Sequence, residues 1–115
     1  MTANTDKEHL AAILTAARLI RSFIKDVERD SFITDLIRRS AVTGQIIRMS
    51  GAAKRISAEF KASHPYVPWD AVTDAGDKLV RSRDGVDPNS VWRFSKGFVP
   101  ELILKIAGLV PRAHN

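Results

Sequence analysis

Residues 64–87 read HPYVPWDAVTDAGDKLVRSRDGVD and contain the strongest structural signals in the chain. The segment opens on a rigid corner, because the prolines at 65 and 68 have no backbone N–H and disfavour helix at the residues before them. A helix is predicted to begin near Trp69 and to end before the turn at Gly85. The corner and the turn therefore bracket one well-defined helix.

Helical periodicity also extends along the N-terminal side of this corner. Apolar residues at spacings of three and four predict a first helix over about residues 6–28, with Thr5 and Glu8 as its capping box. A second helix of about 30 residues is predicted from Asp30 or Ser31 up to the corner. Each helix carries one apolar face, as the helices of a globular bundle do.

The C-terminal part is predicted to be one interrupted helix. Asp87 is followed by Pro88, a favourable pairing of N-cap and first helical position. Gly97 and Pro100 should kink or split that helix near Pro100. No segment shows convincing strand alternation. The sequence therefore predicts an all-α, antiparallel bundle of four to five helices.

Composition indicates a small basic protein. Of the 115 residues, 44% are hydrophobic and 27% charged, so we expect one domain over residues 1–115, with residues 111–115 as a frayed tail. The absence of cysteine excludes disulfides and thiolate metal sites, and the polar N-terminus predicts a cytoplasmic protein outside the membrane. A net charge of +5 favours RNA, DNA or an acidic protein as a partner, or serves only solubility.

Small residues on the second helix predict self-association. They would let another helix approach closely, and a chain of this length buries only a modest core by itself. We therefore expect a homodimer. The small residues are Ala41, Gly44, Gly51, Ala52 and Ala53.

The motifs across residues 30–107 resemble those of the HepT family of the HEPN superfamily. That family shows an Ala-Val on a long helix, Gly-Glu-Ala further along it, a His-Pro-x-x-Pro-Trp corner, a motif helix, a Gly-Val-Asp turn and a Val-Trp helix with a proline. The matching residues are Ala41, Val42, Gly51, Ala53, His64, Pro65, Pro68, Trp69, Leu79, Gly85, Val86, Asp87, Val91, Trp92 and Pro100.

This resemblance implies a HEPN-type helical bundle that pairs into a homodimer. It also implies a metal-independent RNase toxin without a cofactor, partnered by a small nucleotidyltransferase antitoxin. The active motif of the family is an arginine followed directly by Asn or Asp, then a short helical spacer, a histidine, one residue and a tyrosine.

At these motif positions the chain departs from the family. Asp77 matches the acidic position, whereas the arginine, histidine and tyrosine positions hold Gly76, Arg81 and Arg83, and Ala52 replaces the glutamate. Cleavage of RNA without a metal needs a group that takes and gives a proton near neutral pH. The guanidinium of Arg81 stays charged and has no acceptor lone pair, so it can hold a phosphate but cannot move that proton.

Neither the histidines nor the carboxylates offer a convincing replacement. His64 is expected to be a cap or surface residue in the corner, and His9 and His114 are expected to be solvated. The remaining candidates are carboxylates on the motif helix.

Asp70, Asp74 and Asp77 share one face of the motif helix and could in principle hold Mg²⁺. The structural interpretation is stronger. Asp70 suits the positive end of the helix, and the pairs Asp74–Lys78 and Asp77–Arg81 have favourable acid-before-base spacing. No metal site is predicted.

Basic residues around the motif could grip RNA or nucleotide phosphate without cutting it. The alternative is that they are solvent-facing charges balanced by neighbouring aspartates. Trp69 and Trp92 could stack on bases, but they are expected to anchor the core because no aromatic stripe surrounds them. The basic residues are Lys78, Arg81, Arg83 and Arg93.

Three functions are consistent with the sequence. The first is a catalytically degenerate protein of toxin–antitoxin type that keeps the RNase-toxin scaffold and binds RNA, nucleotide or a partner. The second is an active metal-independent endoribonuclease, and the third is a dimeric interaction module without RNA contact.

Restoring the motif by Gly76→Arg, Arg81→His and Arg83→Tyr should be structurally mild, because arginine favours helix more than glycine does.

Overall fold

The structure is a computed structural model that describes residues 2–82 and 86–111. Within these ranges all regular structure is helical and no strand is present, which confirms the all-α prediction. The helices are α1 Thr2–Ile24, α2 Arg29–Thr34, α3 Leu36–Lys54, α4 Ala58–Ser63, α5 Trp69–Ser82, α6 Pro88–Arg93 and α7 Val99–Ile106, with a π-helical turn at Phe94–Phe98 and a 3-10 turn at Ala107–Leu109.

Helix α3 is central to the bundle, because it packs against both α1 and α5. Helix α7 returns to cover α1, and α2 contacts α6 on the same side as the beginning of α3. The core draws mainly on the apolar faces of α1, α3 and α7, and α2, α5 and α6 each add buried apolar side chains. Its fully buried side chains include Leu10, Ile13 and Ile20 of α1, Val42, Ile46 and Met49 of α3, and Val99, Leu102 and Ile106 of α7.

The boundaries of the first helix differ from the prediction. Helix α1 begins at Thr2 rather than near residue 6, so Thr5 and Glu8 lie inside it and do not mark its start. It ends at Ile24 rather than near residue 28. Asp26 has φ +60°, a left-handed conformation that a continuing α-helix excludes.

The predicted second helix of about 30 residues is wrong, because the chain divides it into α2, α3 and α4. The first break lies at Asp35, whose side chain accepts the N–H of Arg38 at 3.0 Å and so caps α3. The second break lies at Ser57, whose hydroxyl accepts the N–H of Phe60 and donates to the buried Asp6 of α1. Both breaks replace helical hydrogen bonds with side-chain caps.

The corner before α5 forms as predicted, and His64 takes part in its structure. His64 is the C-cap of α4, with Nδ1 3.0 Å from the carbonyl of Phe60. The indole N–H of Trp69 donates to the carbonyl of His64 at 3.1 Å, and Trp69 is buried. The expectations that His64 is a cap and Trp69 a core anchor are therefore confirmed.

The interruption of the last helix is also confirmed. Asp87 caps α6 by accepting the N–H of Asn89 at 3.0 Å, with Pro88 as the first helical residue. The N–H of Val99 then donates to the carbonyl of Phe94, five residues back, which is the π-helical pattern. Across residues 2–82 and 86–111, no helix combines the length and the apolar character needed to cross a bilayer.

The cap at Asp35 generates a prediction about acid stability. The hydrogen bond from the N–H of Arg38 lowers the pKa of the Asp35 carboxyl below its usual 3.8. A lowered pKa contributes stability that is present above the unfolded-state pKa and is lost as the pH falls through the folded-state pKa. Asp35→Asn keeps a capping side chain but removes the charge.

We therefore expect wild type to melt at a higher temperature than Asp35→Asn at about pH 6, and the difference to shrink below about pH 3. Thermal unfolding followed by circular dichroism across this range makes the comparison. Asp30→Asn is the matched control, since Asp30 is exposed on α2. A difference that stays constant with pH would contradict the assignment.

Candidate functional site

The motif position at residue 76 is a close contact between two helices. Gly76 is buried in the middle of α5, facing α3. A Cβ placed on it would overlap both the Cβ and the Oγ of Ser50. The Ser50 hydroxyl also donates to the carbonyl of Thr73 at 2.9 Å, which holds the two helices together at this level. No side chain fits at residue 76 unless α5 moves away from α3.

This contact overturns the expectation that Gly76→Arg is structurally mild. Helix propensity favours arginine over glycine by roughly 1 kcal/mol, but that applies where space is open. Here the first side-chain atom would already collide with Ser50. The packing of α5 on α3 therefore decides the outcome, rather than the local preference of the chain.

The acidic position next to it is paired across the same interface. Asp77 forms an ion pair with Lys54 of α3, not with Arg81 as predicted. The predicted pair of Asp74 and Lys78 is also absent, since neither side chain has a hydrogen-bond or ion-pair partner in the described chain. Spacing along one helix favours such pairs by only a few tenths of a kcal/mol, so neighbouring elements can override it.

The predicted basic residues that the structure describes lie on α5 and α6. Arg81 is exposed in its last turn, and Arg93 is exposed on α6, where it donates to the Ser90 hydroxyl at 3.3 Å. Lys78 is exposed at the edge of a cleft described below. Arg83 lies outside the described residues. Binding of phosphate by these groups stays a prediction.

None of the described histidines is placed as a free proton-transfer group at the end of α5. His64 is stacked on Phe60 with ring centroids 4.1 Å apart and is bound to the same residue's carbonyl. His9 is half-buried on α1 rather than fully solvated, and His114 lies outside the described residues. Nor does the described part of the chain assemble three or more metal-ligating side chains.

A cleft of about 410 Å³ separates α5 from α6 and the π-helical turn, and we call it the α5–α6 cleft. Its apolar lining includes a stacked pair, Phe94 and Phe98, with ring centroids 4.7 Å apart. The helical spacing of these phenylalanines predicts only an apolar face and gives no sign of the cleft. Its apolar lining consists of Ile46, Ala71, Ala75, Leu79, Val91, Phe94 and Phe98, and its polar lining of Asp74, Lys78 and Ser90.

A second groove of about 370 Å³ runs between α3 and α6, and we call it the α3–α6 groove. Leu36 and Ile47 on its wall are exposed, and the neighbouring Ile37 is 84% exposed. Gly44 faces open space, with no atom within 4 Å of where its Cβ would lie. The exposed apolar side chains of α3 form a patch rather than isolated residues, and such a patch is typical of a contact surface. We call it the open apolar face of α3.

The amino-acid sequence of this helical bundle matches the model of a known family. The model of that family, described as ribonuclease HepT-like, matches residues 13–108. The chain belongs to the HepT-like ribonuclease family.

Curated HepT-like relatives cover most of the chain. "Probable ribonuclease HepT" of Thermococcus cleftensis is 31% identical over 96 residues, which are 84% of this chain and 87% of that protein. "Putative RNase MJ1380" of Methanocaldococcus jannaschii is 28% identical over 102 residues, 89% and 94% of the two chains. No solved structure matches the chain significantly. The family match extends the resemblance seen in residues 30–107 towards the N-terminus.

The Ser50–Gly76 contact predicts an unusual penalty for adding one methyl group. Gly76→Ala should lower the free energy of unfolding by about 1–3 kcal/mol through overpacking, despite the gain in helix propensity. Chemical unfolding by urea measures the change. Gly108→Ala, where no atom lies within 4 Å of the new Cβ, is the control and should stay within about 0.5 kcal/mol of wild type.

A second variant tests the cause of this penalty. Ser50→Gly removes the atoms that the new Cβ meets, so Gly76→Ala should cost less in the Ser50→Gly background than in wild type. Strictly additive effects of the two changes, or a Gly76→Ala protein as stable as wild type, would show that α3 and α5 are not in contact here.

Proposed function

We propose that this chain is a non-cleaving HepT-like protein of toxin–antitoxin type, which keeps the scaffold of an RNase toxin and acts by binding RNA, nucleotide or a partner protein. The observation that carries the proposal is the Ser50–Gly76 contact. It occupies the place where the family's motif arginine would begin. The family's motif arginine supplies a positive group that stabilises phosphoryl charge. This chain has glycine at that position, and the packing of α5 on α3 leaves no space for an arginine there.

The proton-transfer chemistry supports the same conclusion. Attack by the 2′-hydroxyl requires a base, and departure of the 5′-oxygen requires an acid. Arg81 at the histidine position can do neither, since a guanidinium has no lone pair to accept a proton and does not give one up near neutral pH. His64 is engaged in the corner with Phe60, at the opposite end of α5 from Arg81. We therefore infer that this chain lacks the acid and the base that a metal-independent endoribonuclease needs.

We expect purified protein to cleave structured and single-stranded RNA no faster than a buffer blank, with or without Mg²⁺. Gel analysis of end-labelled RNA measures this, with pancreatic-type RNase as the positive control. Arg81→Ala protein, purified in the same way, controls for contaminating nuclease. Cleavage that co-purifies with the wild type and disappears in Asp77→Ala or His64→Ala protein would establish a rewired active site instead.

The open apolar face of α3 supports a homodimer as part of this function. Leu36, Ile37 and Ile47 expose aliphatic surface next to the α3–α6 groove, and Gly44 would let a second helix approach closely. A two-fold partner would cover this area. We also propose a small nucleotidyltransferase antitoxin as a partner, on the basis of the family resemblance. The second candidate function is a dimeric interaction module without RNA contact.

Light scattering at micromolar concentration should give the mass of a dimer. Ile37→Glu should shift it to the monomer, because a charge would be buried in an apolar interface. Leu104→Glu is the matched control, since Leu104 is 81% exposed on α7 and Ile37 is 84% exposed on α3. A monomeric wild type, or equal behaviour of the two variants, would exclude this face as the dimer interface.

Binding of RNA separates the two candidate functions. A fluorescence anisotropy titration at rising salt should show affinity that falls steeply as phosphate contacts are screened, if RNA is bound. Lys78→Gln would then reduce the slope, whereas Lys105→Gln on the exposed face of α7 would leave it unchanged. Absence of any salt-dependent binding favours the interaction module.

A further inference from the structure

The α5–α6 cleft combines an apolar lining with two charged side chains from one helix. Its volume of about 410 Å³ lies within the range of ligand pockets, about 300–1,000 Å³. Its apolar lining comes from four separate segments, α3, α5, α6 and the π-helical turn, so the cleft is a feature of the tertiary structure rather than of one helix. Pockets of this kind bind small molecules through apolar surface and orient them with a few polar groups.

The two charged side chains of the cleft are unpaired. Asp74 and Lys78 are four residues apart on α5, and both are exposed. In the part of the chain that the structure describes, neither side chain forms a hydrogen bond or an ion pair. The carboxylate can only accept hydrogen bonds and the ammonium can only donate them. Both groups therefore keep their full bonding capacity for a ligand.

This spacing of an acid and a base does not by itself define a site. Glu101 and Lys105 have the same spacing on α7 and are also exposed. They line neither the α5–α6 cleft nor the α3–α6 groove. The distinguishing feature of α5 is that its two charges adjoin an apolar cleft. The pair on α7 therefore provides a matched control.

The opposite signs of the two charges restrict the class of ligand. A ligand with a single charge would be attracted by one of these side chains and repelled by the other. A ligand with a positive and a negative group close together can pair with both. Residues four apart on a helix have Cβ atoms about 5–6 Å apart, so one small molecule can reach Asp74 and Lys78 together. The cleft therefore favours a zwitterion.

The aromatic part of the lining indicates the apolar group of that ligand. Phe94 and Phe98 of the π-helical turn are half-buried, with ring centroids 4.7 Å apart and ring planes at 21°. Turns of this kind insert one extra residue into a helix and frequently occur at functional sites. Together with Leu79 of α5, these rings offer apolar surface to an aromatic or large aliphatic group.

We propose that the α5–α6 cleft binds a free α-amino acid with a large apolar side chain. The ammonium of the ligand pairs with the Asp74 carboxylate, and its carboxylate pairs with the Lys78 ammonium. Its side chain packs against Phe94 and Phe98. An α-amino acid carries all three groups on one carbon, and phenylalanine should bind best because its ring can pack on the two aromatic rings. This site goes beyond the proposed function and does not rest on it, since the ligand is neither RNA, nucleotide nor protein.

The test compares phenylalanine with fragments that each lack one of its three groups. Full-length, ¹⁵N-labelled protein is titrated with L-phenylalanine, glycine, 2-phenylethylamine and 3-phenylpropionate, each up to about 10 mM. We expect phenylalanine to shift the amides of α5 and the π-helical turn. Phenylethylamine and phenylpropionate should bind roughly fivefold more weakly, because each loses one ion pair and keeps one like-charge repulsion. Glycine should bind most weakly, since it has no apolar side chain.

Variants of the two charged residues should match the fragments. Lys78→Gln should weaken phenylalanine roughly fivefold without weakening phenylethylamine, which has no carboxylate. Asp74→Asn should weaken phenylalanine without weakening phenylpropionate, which has no ammonium. Phe98→Leu keeps an apolar side chain but removes a ring, so it should weaken phenylalanine more than leucine. A merely structural role of these residues would instead weaken every ligand to the same extent.

Glu101→Gln and Lys105→Gln make the same charge changes on α7 and should leave the binding of phenylalanine unchanged. Equal effects of the α5 and α7 variants would reduce the result to general charge and overturn the proposal. No shifts up to about 10 mM phenylalanine, or fragments that bind as tightly as phenylalanine, would also overturn it. Shifts that follow protein concentration instead of ligand would assign the cleft to a second copy of the chain. Cleavage of RNA would overturn the proposed function and leave the amino-acid site standing.

Discussion

The contact between Ser50 of α3 and Gly76 of α5 constrains the position of the motif helix. Within the described residues, α3 is the helix against which α5 packs extensively. Ile46, Ser50 and Lys54 recur every four residues along the α3 ridge that faces α5. They supply, in turn, one wall of the α5–α6 cleft, the close contact at Gly76 and the cation that pairs with Asp77. One row of side chains thus positions α5 and fixes the surroundings of the motif.

The features of this fold that could be predicted from the sequence are those that depend on local chemistry. Pro65 and Pro68 restrict the backbone wherever they occur, and Asp87 with Pro88 starts a helix without help from distant residues. The corner, the cap of α6 and the interrupted last helix could be predicted for that reason. The interruption took the specific form of a π-helical turn, in which the N–H of Val99 donates to the carbonyl of Phe94, and the kink signals at Gly97 and Pro100 do not specify that form.

The division of the predicted second helix shows where such reasoning ends. Apolar residues continue across Asp35 at helical spacing, so periodicity alone gives no break there. An aspartate is equally compatible with a helix surface and with an N-cap. Asp35 becomes a cap because Arg38 bonds its carboxylate and also reaches the carbonyl of Phe23 at the end of α1. A contact with another helix therefore selects between two local conformations of similar energy.

The same limit applies to the candidate site. The family motif could be placed on α5 from the sequence, but the partner of each motif residue could not. Arg81 lies four positions after Asp77 on α5, yet Asp77 pairs with Lys54 of α3. An exposed ion pair contributes little free energy whether its partner is on the same helix or on a neighbouring one. The side of α5 that packs against α3 therefore decides the partner. Likewise, nothing near Gly76 in the sequence indicates Ser50, which lies 26 residues earlier.

On the proposed function, these contacts also decide what the scaffold can still do. A residue lost from a solvated active site can return by one substitution, whereas a residue whose space is filled by a neighbouring helix cannot. Recovery of the arginine would require a change on α3 as well as on α5, since Ser50 and Gly76 share one volume. Among the described residues, the surfaces that this packing leaves open include the α5–α6 cleft and the α3–α6 groove. Binding at those surfaces needs no proton transfer, and so it is the activity that we propose for a scaffold without the motif.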